Sequence, residues 1–279
     1  MEVYNTIETL QNHISNAKLD GKTIGFVPSM GALHPGHISL VQQAKKVCDV
    51  VVVSIYVNPT QFNNPDDLLK YPRTLESDLE LLAKSECDIV FAPSNEEIYP
   101  LDLPNISLDL GTLNGVMEDA LRPGHFNGVV NVVYRLFDIV KPSKAFFGLK
   151  DFQQVAVIKY MTNHFKLPIE IIPCPTIRES TGLAMSSRNL RLNDHQKETA
   201  LIIFKTLNLA KELAQNLTPN EVKAKTIEFF QRGELSIEYI EIVHPLTLVS
   251  LTDKWIEGAT MCIAAFCGEV RLIDNQQIY

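Results

Sequence analysis

Three short runs rich in β-branched and aromatic residues, Thr23–Pro28, Val50–Val57 and Asp88–Ala92, alternate with segments of helical period over His37–Val47 and Thr74–Ser85. This order restricts the fold more than anything else in the chain. Successive strands joined by crossover helices lie parallel in one sheet with helices on both faces, so they read as nearly continuous apolar runs. The consecutive valines Val50–Val53 fit that burial. Thr74 stands where a helix cap is expected, with Glu76 and Asp78 in the first turn, where the helix dipole favours acids. The pattern continues through a helix over Val129–Val140, a strand over Lys144–Phe147, a helix over Phe152–Phe165 and a strand over Ile169–Pro173. This part of the chain is expected to be α/β, a doubly wound parallel sheet.

Past about residue 176 the order changes. Two helical patterns, Asp194–Asn216 and Pro219–Arg232, precede strand patterns at Ser236–Val243, Thr260–Phe266 and Glu269–Ile273, the last two joined by the turn sequence CGEV. Helices followed by hairpin-linked strands predict a second, smaller α+β domain with an antiparallel sheet. A chain of 279 residues suits two domains, divided here as 1–176 and 177–279 with the boundary near 174–190. No low-complexity linker separates them, so the smaller domain is expected to cover a cleft, a natural place for a ligand.

A formal net charge of −8 and 46% hydrophobic residues disfavour general nucleic-acid binding and disorder, although cations gathered at one place can still hold a small anion. The five cysteines, Cys48, Cys87, Cys174, Cys262 and Cys267, are scattered without CxxC or zinc spacing and read as reduced core thiols. Residues 1–14 carry acids and amides where a signal peptide would be basic and then apolar, and no run of about 18 apolar residues follows. No membrane association is expected, and the cytoplasm is the expected location.

Phe26–Val41 (FVPSMGALHPGHISLV) places His34 and His37 where a strand hands over to a helix. Free N–H groups at a helix start carry roughly half a positive charge and form a ready phosphate site at the carboxyl edge of a parallel sheet. No GK[ST] follows, so this is not a P-loop. Gly182–Asn189 (GLAMSSRN) carries Ser186, Ser187 and Arg188 in a segment without helix or strand periodicity, expected to act as a phosphate-binding lid hinged at its glycine. Taken singly, HxGH also suits a loop histidine followed by a helix-capping histidine, and Ser-Ser-Arg a solvated turn.

Taken together, FVPSMGALHPGH, VVSIYVNPTQF, YPRTLESDLELL, RPGHFNGVVNVVYRLF, FGLKDFQQ and TIRESTGLAMSSRN, in this order and spacing, resemble the pantothenate synthetase family of the HxGH nucleotidyltransferase superfamily. The resemblance is strong from about residue 24 to 191 and more diffuse beyond. It implies a Rossmann-like ATP- and pantoate-binding domain, a smaller C-terminal domain over the cleft, and a homodimer. It also implies an ATP-dependent ligase that condenses pantoate with β-alanine through a pantoyl adenylate, releasing AMP and pyrophosphate. Carried over residue by residue, the ATP-binding positions are Met30, Gly31, Ala32, Leu33, His34, Pro35, Gly36, His37, Gly148, Leu149, Lys150, Asp151, Ile177, Met185, Ser186, Ser187 and Arg188. His34, His37, Lys150 and Arg188 are the implied catalytic residues, Gln61, Gln154 and His125 the implied substrate-binding ones, and Asp78 the acid associated with Mg²⁺. Leu149, where a polar residue is usual, and Asn131, where Thr is common, depart from the family pattern without removing a charge.

The implied chemistry suits these residue types. A carboxylate attacking an α-phosphate needs positioning rather than a protein nucleophile. Charge gathers on the departing pyrophosphate, where Mg²⁺, Lys150, Arg188 and the histidines would stabilise it. The amides of Gln61 and Gln154 suit the hydroxyls of pantoate, and Met30, Phe62, Val132, Val133 and Phe147 its methyl groups. The sequence leaves two other readings open: a superfamily enzyme acting on a phosphate-bearing substrate, and a nucleotide-binding module without turnover.

Overall fold

The computed structural model describes residues 1–63, 65–101 and 104–279. In chain order the first elements are β1 (Glu2–Tyr4), α1 (Ile7–Leu19), β2 (Ile24–Ser29), α2 (Pro35–Lys45), β3 (Val50–Ile55), α3 (Pro65–Lys70), α4 (Leu75–Ala83) and β4 (Ile89–Phe91). There follow α5 (Asn95–Ile98), α6 (Met117–Leu121), α7 (His125–Val140), β5 (Lys144–Gly148), α8 (Phe152–His164) and β6 (Glu170–Cys174). The remainder holds α9 (Asp194–Thr199), α10 (Leu201–Leu213), α11 (Pro219–Phe230), β7 (Ser236–Val243), β8 (Thr260–Cys267) and β9 (Val270–Gln277). Among the described residues no helix is long and apolar enough to cross a membrane.

Six strands form one parallel sheet in the order β1-β4-β3-β2-β5-β6. Alternate side chains of β2 enter different layers. Val27 packs in the cluster that contains Leu40, Val41 and Ala44 of α2 and Leu82 of α4, whereas Phe26 meets Phe137 of α7 edge-on, with ring centroids 6.3 Å apart. Burial on both faces explains the unbroken apolar strands. The chain runs from β2 outward through β3 to β4, then returns to add β5 on the other side of β2. Strand order therefore reverses beside β2, and the loop after its carboxyl end lies where open α/β sheets place their ligands. The short edge strand β1 carries too few residues to show a period and is not legible in the sequence.

The antiparallel sheet β7-β8-β9 packs against α10 and α11, with Ile203, Leu207, Val222 and Phe230 meeting Ile240, Ile263 and Leu272. Cys267 and Val270 close the turn between β8 and β9, where Gly268 takes φ +58°. The single helix expected over Asp194–Asn216 is two, α9 and α10, meeting at the fully buried Ala200.

The chain forms two compact units. The first comprises Met1–Leu110, Arg122–Gly148 and Val157–Cys174; the second comprises Gly111–Leu121, Leu149–Ala156 and Pro175–Tyr279. The second thus recruits two segments from the N-terminal part of the sequence, and Gln153 shows how. Its buried amide accepts from Glu118 N (3.0 Å) and donates to Leu113 O and Val116 O (3.3 and 3.0 Å). Glu118 in turn pairs with Arg271 of β9. All five cysteines are free and buried. Burial pushes the Cys174 thiol up to about 11 and the Cys87 thiol up to about 12.

Candidate active site

The loop after β2 turns sharply, with Gly31 at φ +80° and Ala32 at φ +49°. Asp78 of α4 fixes that turn. Its carboxylate accepts from Ala32 N (3.0 Å) and Leu33 N (2.8 Å), and the Thr74 hydroxyl donates to it at 3.3 Å. Thr74, expected as the cap of α4, makes no side-chain cap bond, because its hydroxyl is directed to Asp78 instead.

Helix α2 starts immediately after this loop with a capping box made of its two histidines. His34 Nδ1 accepts from Gly36 N at 3.1 Å, and His37 Nδ1 accepts from His34 N at 3.3 Å. A ring nitrogen that accepts carries no proton, so this network assigns both imidazoles the neutral Nε2–H tautomer. The ring centroids lie 4.1 Å apart. Nδ1 of each ring thus closes the helix start, at the positive end of the helix.

Gln61 ends the short 3-10 turn Pro59–Gln61 and is 9% exposed. Its Nε2 donates to Met30 Sδ (2.9 Å) and its Oε1 accepts from Asn58 Nδ2 (3.2 Å). Asn58 also donates to Gly128 O and accepts from Thr60 N, the Thr60 hydroxyl and the Tyr99 hydroxyl. Helix α7 approaches this turn closely enough that a Cβ on Gly128 would stand 2.5 Å from Thr60 O. His125, expected to bind substrate, is buried with both ring nitrogens against protein: Nδ1 donates to Gln61 O (2.8 Å) and Nε2 faces Arg122 (3.2 Å). Its geometry is that of a support for the Gln61 turn. Asn58, which lies within VVSIYVNPTQF, is set apart by these bonds and by no pattern in the sequence. Asn131, the departure in α7, bonds Ile106 N, Ile106 O and Asn127 O, holding the segment at residue 106 against the helix.

In the second unit, Leu149–Asp151 forms a 3-10 turn in which Lys150 is half-buried, and Gln154 follows, half-buried, in α8. Asn275 Nδ2 donates to Leu149 O (2.8 Å) and Lys150 O (2.9 Å). Burial pushes the Asp274 carboxyl up, while Arg178 and the charge of Lys150 act in the opposite direction. The segment carrying Ile177 and Met185–Arg188 is folded on itself. Met185 N donates to Ile177 O, Glu179 N to Leu183 O and Gly182 N to Glu179 O, all at 2.8–2.9 Å. Asn189 ties Glu179 to Ala184 O, and Ser186 caps the following 3-10 turn by accepting from Arg188 N. Gly182 is no open hinge: at φ +101°, a Cβ would fall 2.3 Å from Phe204 Cδ1.

The residues present do not fit the expected metal role of Asp78. Its oxygens face N–H and O–H donors rather than other anionic ligands, and it is 3% exposed. Among the described residues, no three His, Cys, Asp or Glu gather into a group that could hold a metal ion. Asp78 has the surroundings of a loop anchor.

This geometry coincides with a family match along the chain. Residues 2–277 match the family described as pantoate-beta-alanine ligase. The pantothenate synthetase of Porphyromonas gingivalis is 49% identical over 278 residues, spanning 99% of this chain and 98% of that protein. That of Cytophaga hutchinsonii is 47% identical over 274 residues, spanning 97% and 96%. The crystal structure of pantothenate synthetase from Thermus thermophilus matches with a TM-score of 0.94 at 39% identity, covering 100% of both chains. The pantoate-beta-alanine ligase of Francisella tularensis, complexed with beta-gamma ATP and β-alanine, gives 0.81 at 38% identity, covering 99% and 97%. With a parallel sheet that delivers HxGH to a helix start and a match from residue 2 to residue 277, the chain belongs to the pantoate–β-alanine ligase family.

Proposed function

We propose that the chain joins pantoate to β-alanine at the expense of ATP. The pantoate carboxylate attacks the α-phosphorus, the bond to pyrophosphate breaks, and a pantoyl adenylate is held. The β-alanine amine then attacks the acyl carbon, the bond to AMP breaks, and the amine loses a proton as pantothenate forms. The observation that carries this reading is the α2 start, where the two imidazoles of HxGH cap the helix with Nδ1 at the positive end of its dipole. Such a helix start suits phosphate oxygens whose charge grows as pyrophosphate departs.

We assign Met30–His37 and Gly148–Asp151, together with Ile177 and Met185–Arg188, to ATP, and Gln61 and Gln154 to pantoate. His125 supports the Gln61 turn from behind. Mg²⁺ is expected with ATP, whose phosphates would supply most of its ligands, while the oxygens of Asp78 hold the loop. Pantoate as the acid, a homodimer and a cytoplasmic location belong to the same reading, supported by family membership. The test is direct. Purified protein with ATP, Mg²⁺ and pantoate should release pyrophosphate, and β-alanine added next should yield AMP and pantothenate. Pyrophosphate release that does not depend on pantoate would overturn the assignment.

A further inference from the structure

Strand β9 carries two adjacent buried polar residues, Asp274 and Asn275, which are 4% and 8% exposed. An asparagine amide has two N–H donors. Asn275 directs its amide nitrogen to two successive carbonyls, those of Leu149 and Lys150 at 2.8 and 2.9 Å. These carbonyls belong to the peptide planes on either side of the Lys150 Cα. Fixing both planes fixes the direction in which the Lys150 side chain leaves the backbone.

The preceding residue makes an attachment of its own. Asp274 pairs in bidentate fashion with Arg178 (2.5 and 3.0 Å), Arg178 donates to Gly182 O (3.1 Å), and its guanidinium lies 4.4 Å from the centre of the Phe204 ring. The Asp274 carboxylate also accepts from Asn275 N at 2.8 Å, which ties the two attachments together. Two consecutive residues of β9 therefore hold the Leu149–Asp151 turn, which carries Lys150, and the 178–182 hairpin, which precedes Arg188 in the chain.

We propose that Asn275 is a positioning residue for Lys150, setting the direction in which its side chain leaves the backbone through the two flanking peptide planes. The inference rests on the reading of Lys150 as a phosphate-binding residue. Asn275→Ala should lower kcat for pantoate-dependent pyrophosphate release by about 10²-fold, the scale of an error of about 1 Å in placing a group, while pantoate KM stays within about threefold. Asn275→Asp keeps the volume but turns an acceptor toward two carbonyls, and should lose at least as much.

The deciding measurement is a double-mutant cycle with Lys150→Ala. If Asn275 acts through Lys150, the double variant is no slower than Lys150→Ala alone, whereas independent structural damage would multiply the two losses. Near-native kcat in Asn275→Ala beside an impaired Lys150→Ala overturns this inference and leaves the reading of Lys150 intact. Near-native kcat in Lys150→Ala overturns both. Failure of both Asn275 variants to fold, judged by thermal melting, assigns the residue to stability and also overturns the proposal.

Discussion

Gln61 is held from three directions, by Met30 Sδ, by the Asn58 amide and, through its own carbonyl, by His125. Sulfur is a weak acceptor, so Nε2 is the part of this amide that a better partner can take over when substrate arrives. Gln61→Ala should therefore weaken pantoate binding by about 1–3 kcal/mol and ATP binding by much less, the amount expected when a buried polar contact loses one partner. Titration calorimetry with each ligand separates the two; an equal loss for both would remove Gln61 from the acid site. His37, Lys150 and Arg188 are assigned to charge that develops during the reaction, and changing any one to Ala should lower kcat by about 10²–10³-fold with the fold retained. Pre-steady-state pyrophosphate release measures this step, and a variant that keeps its rate has no part in it. The candidate cations and amides are legible as residue types in motifs. The bonds that orient them are not, since Asn58, Asn275 and Asp78 differ from ordinary polar residues only in what the fold brings against them.

The segment from Ile177 to Arg191 shows where periodicity misleads. It lacks the spacing of a helix or strand, which suggests a mobile lid, yet its backbone closes on itself and Asn189 and Arg178 brace it from its own unit. Amide exchange in residues 180–189 should be slow without ligand and change little when ATP and pantoate are added; fast exchange that slows on binding would restore the lid. Gly182→Ala should cost about 2–4 kcal/mol, because it adds left-handed strain to overlap with Phe204; a variant with unchanged melting would show that the ring moves aside at little cost. The parallel sheet is legible because β2, β3 and β5 are apolar runs between helical periods. The membership of 111–121 and 149–156 in the second unit is not, because it depends on Gln153, Glu118 and Arg271, whose bonds join residues far apart in sequence. Ser-Ser-Arg marks a place in the sequence, and the hydrogen bonds around it decide how that place behaves.

Both cores bury acidic groups that carry no charge near neutral pH, and this makes stability depend on alkali. Burial raises the thiols of Cys87, Cys174 and Cys262 above their ordinary value of 9.0, and the phenols of Tyr56, Tyr99 and Tyr239 above 10.0. Unfolding returns each group to its ordinary value. Below pH 9 both states keep these protons, so the groups make stability neither rise nor fall with pH. Between the ordinary and the raised value only the unfolded chain releases the proton, and stability falls by about 1.4 kcal/mol per pH unit for each group. The contribution is thus fully present below pH 9 and is lost as pH climbs toward the folded values, about 11 for Cys174 and about 12 for Cys87. Cys87 alone should cost roughly 2 kcal/mol on going from pH 8 to pH 10.5 at that slope. Urea denaturation should accordingly give a midpoint that is nearly constant from pH 7 to 8.5 and drops steeply above 9, with protons released on unfolding. Cys87→Ala should be less stable at pH 8 but decline with a shallower slope, by about 1.4 kcal/mol per pH unit. A midpoint that stays level to pH 10.5, or a Cys87→Ala slope equal to that of the unsubstituted chain, would show that water reaches these groups in the native state.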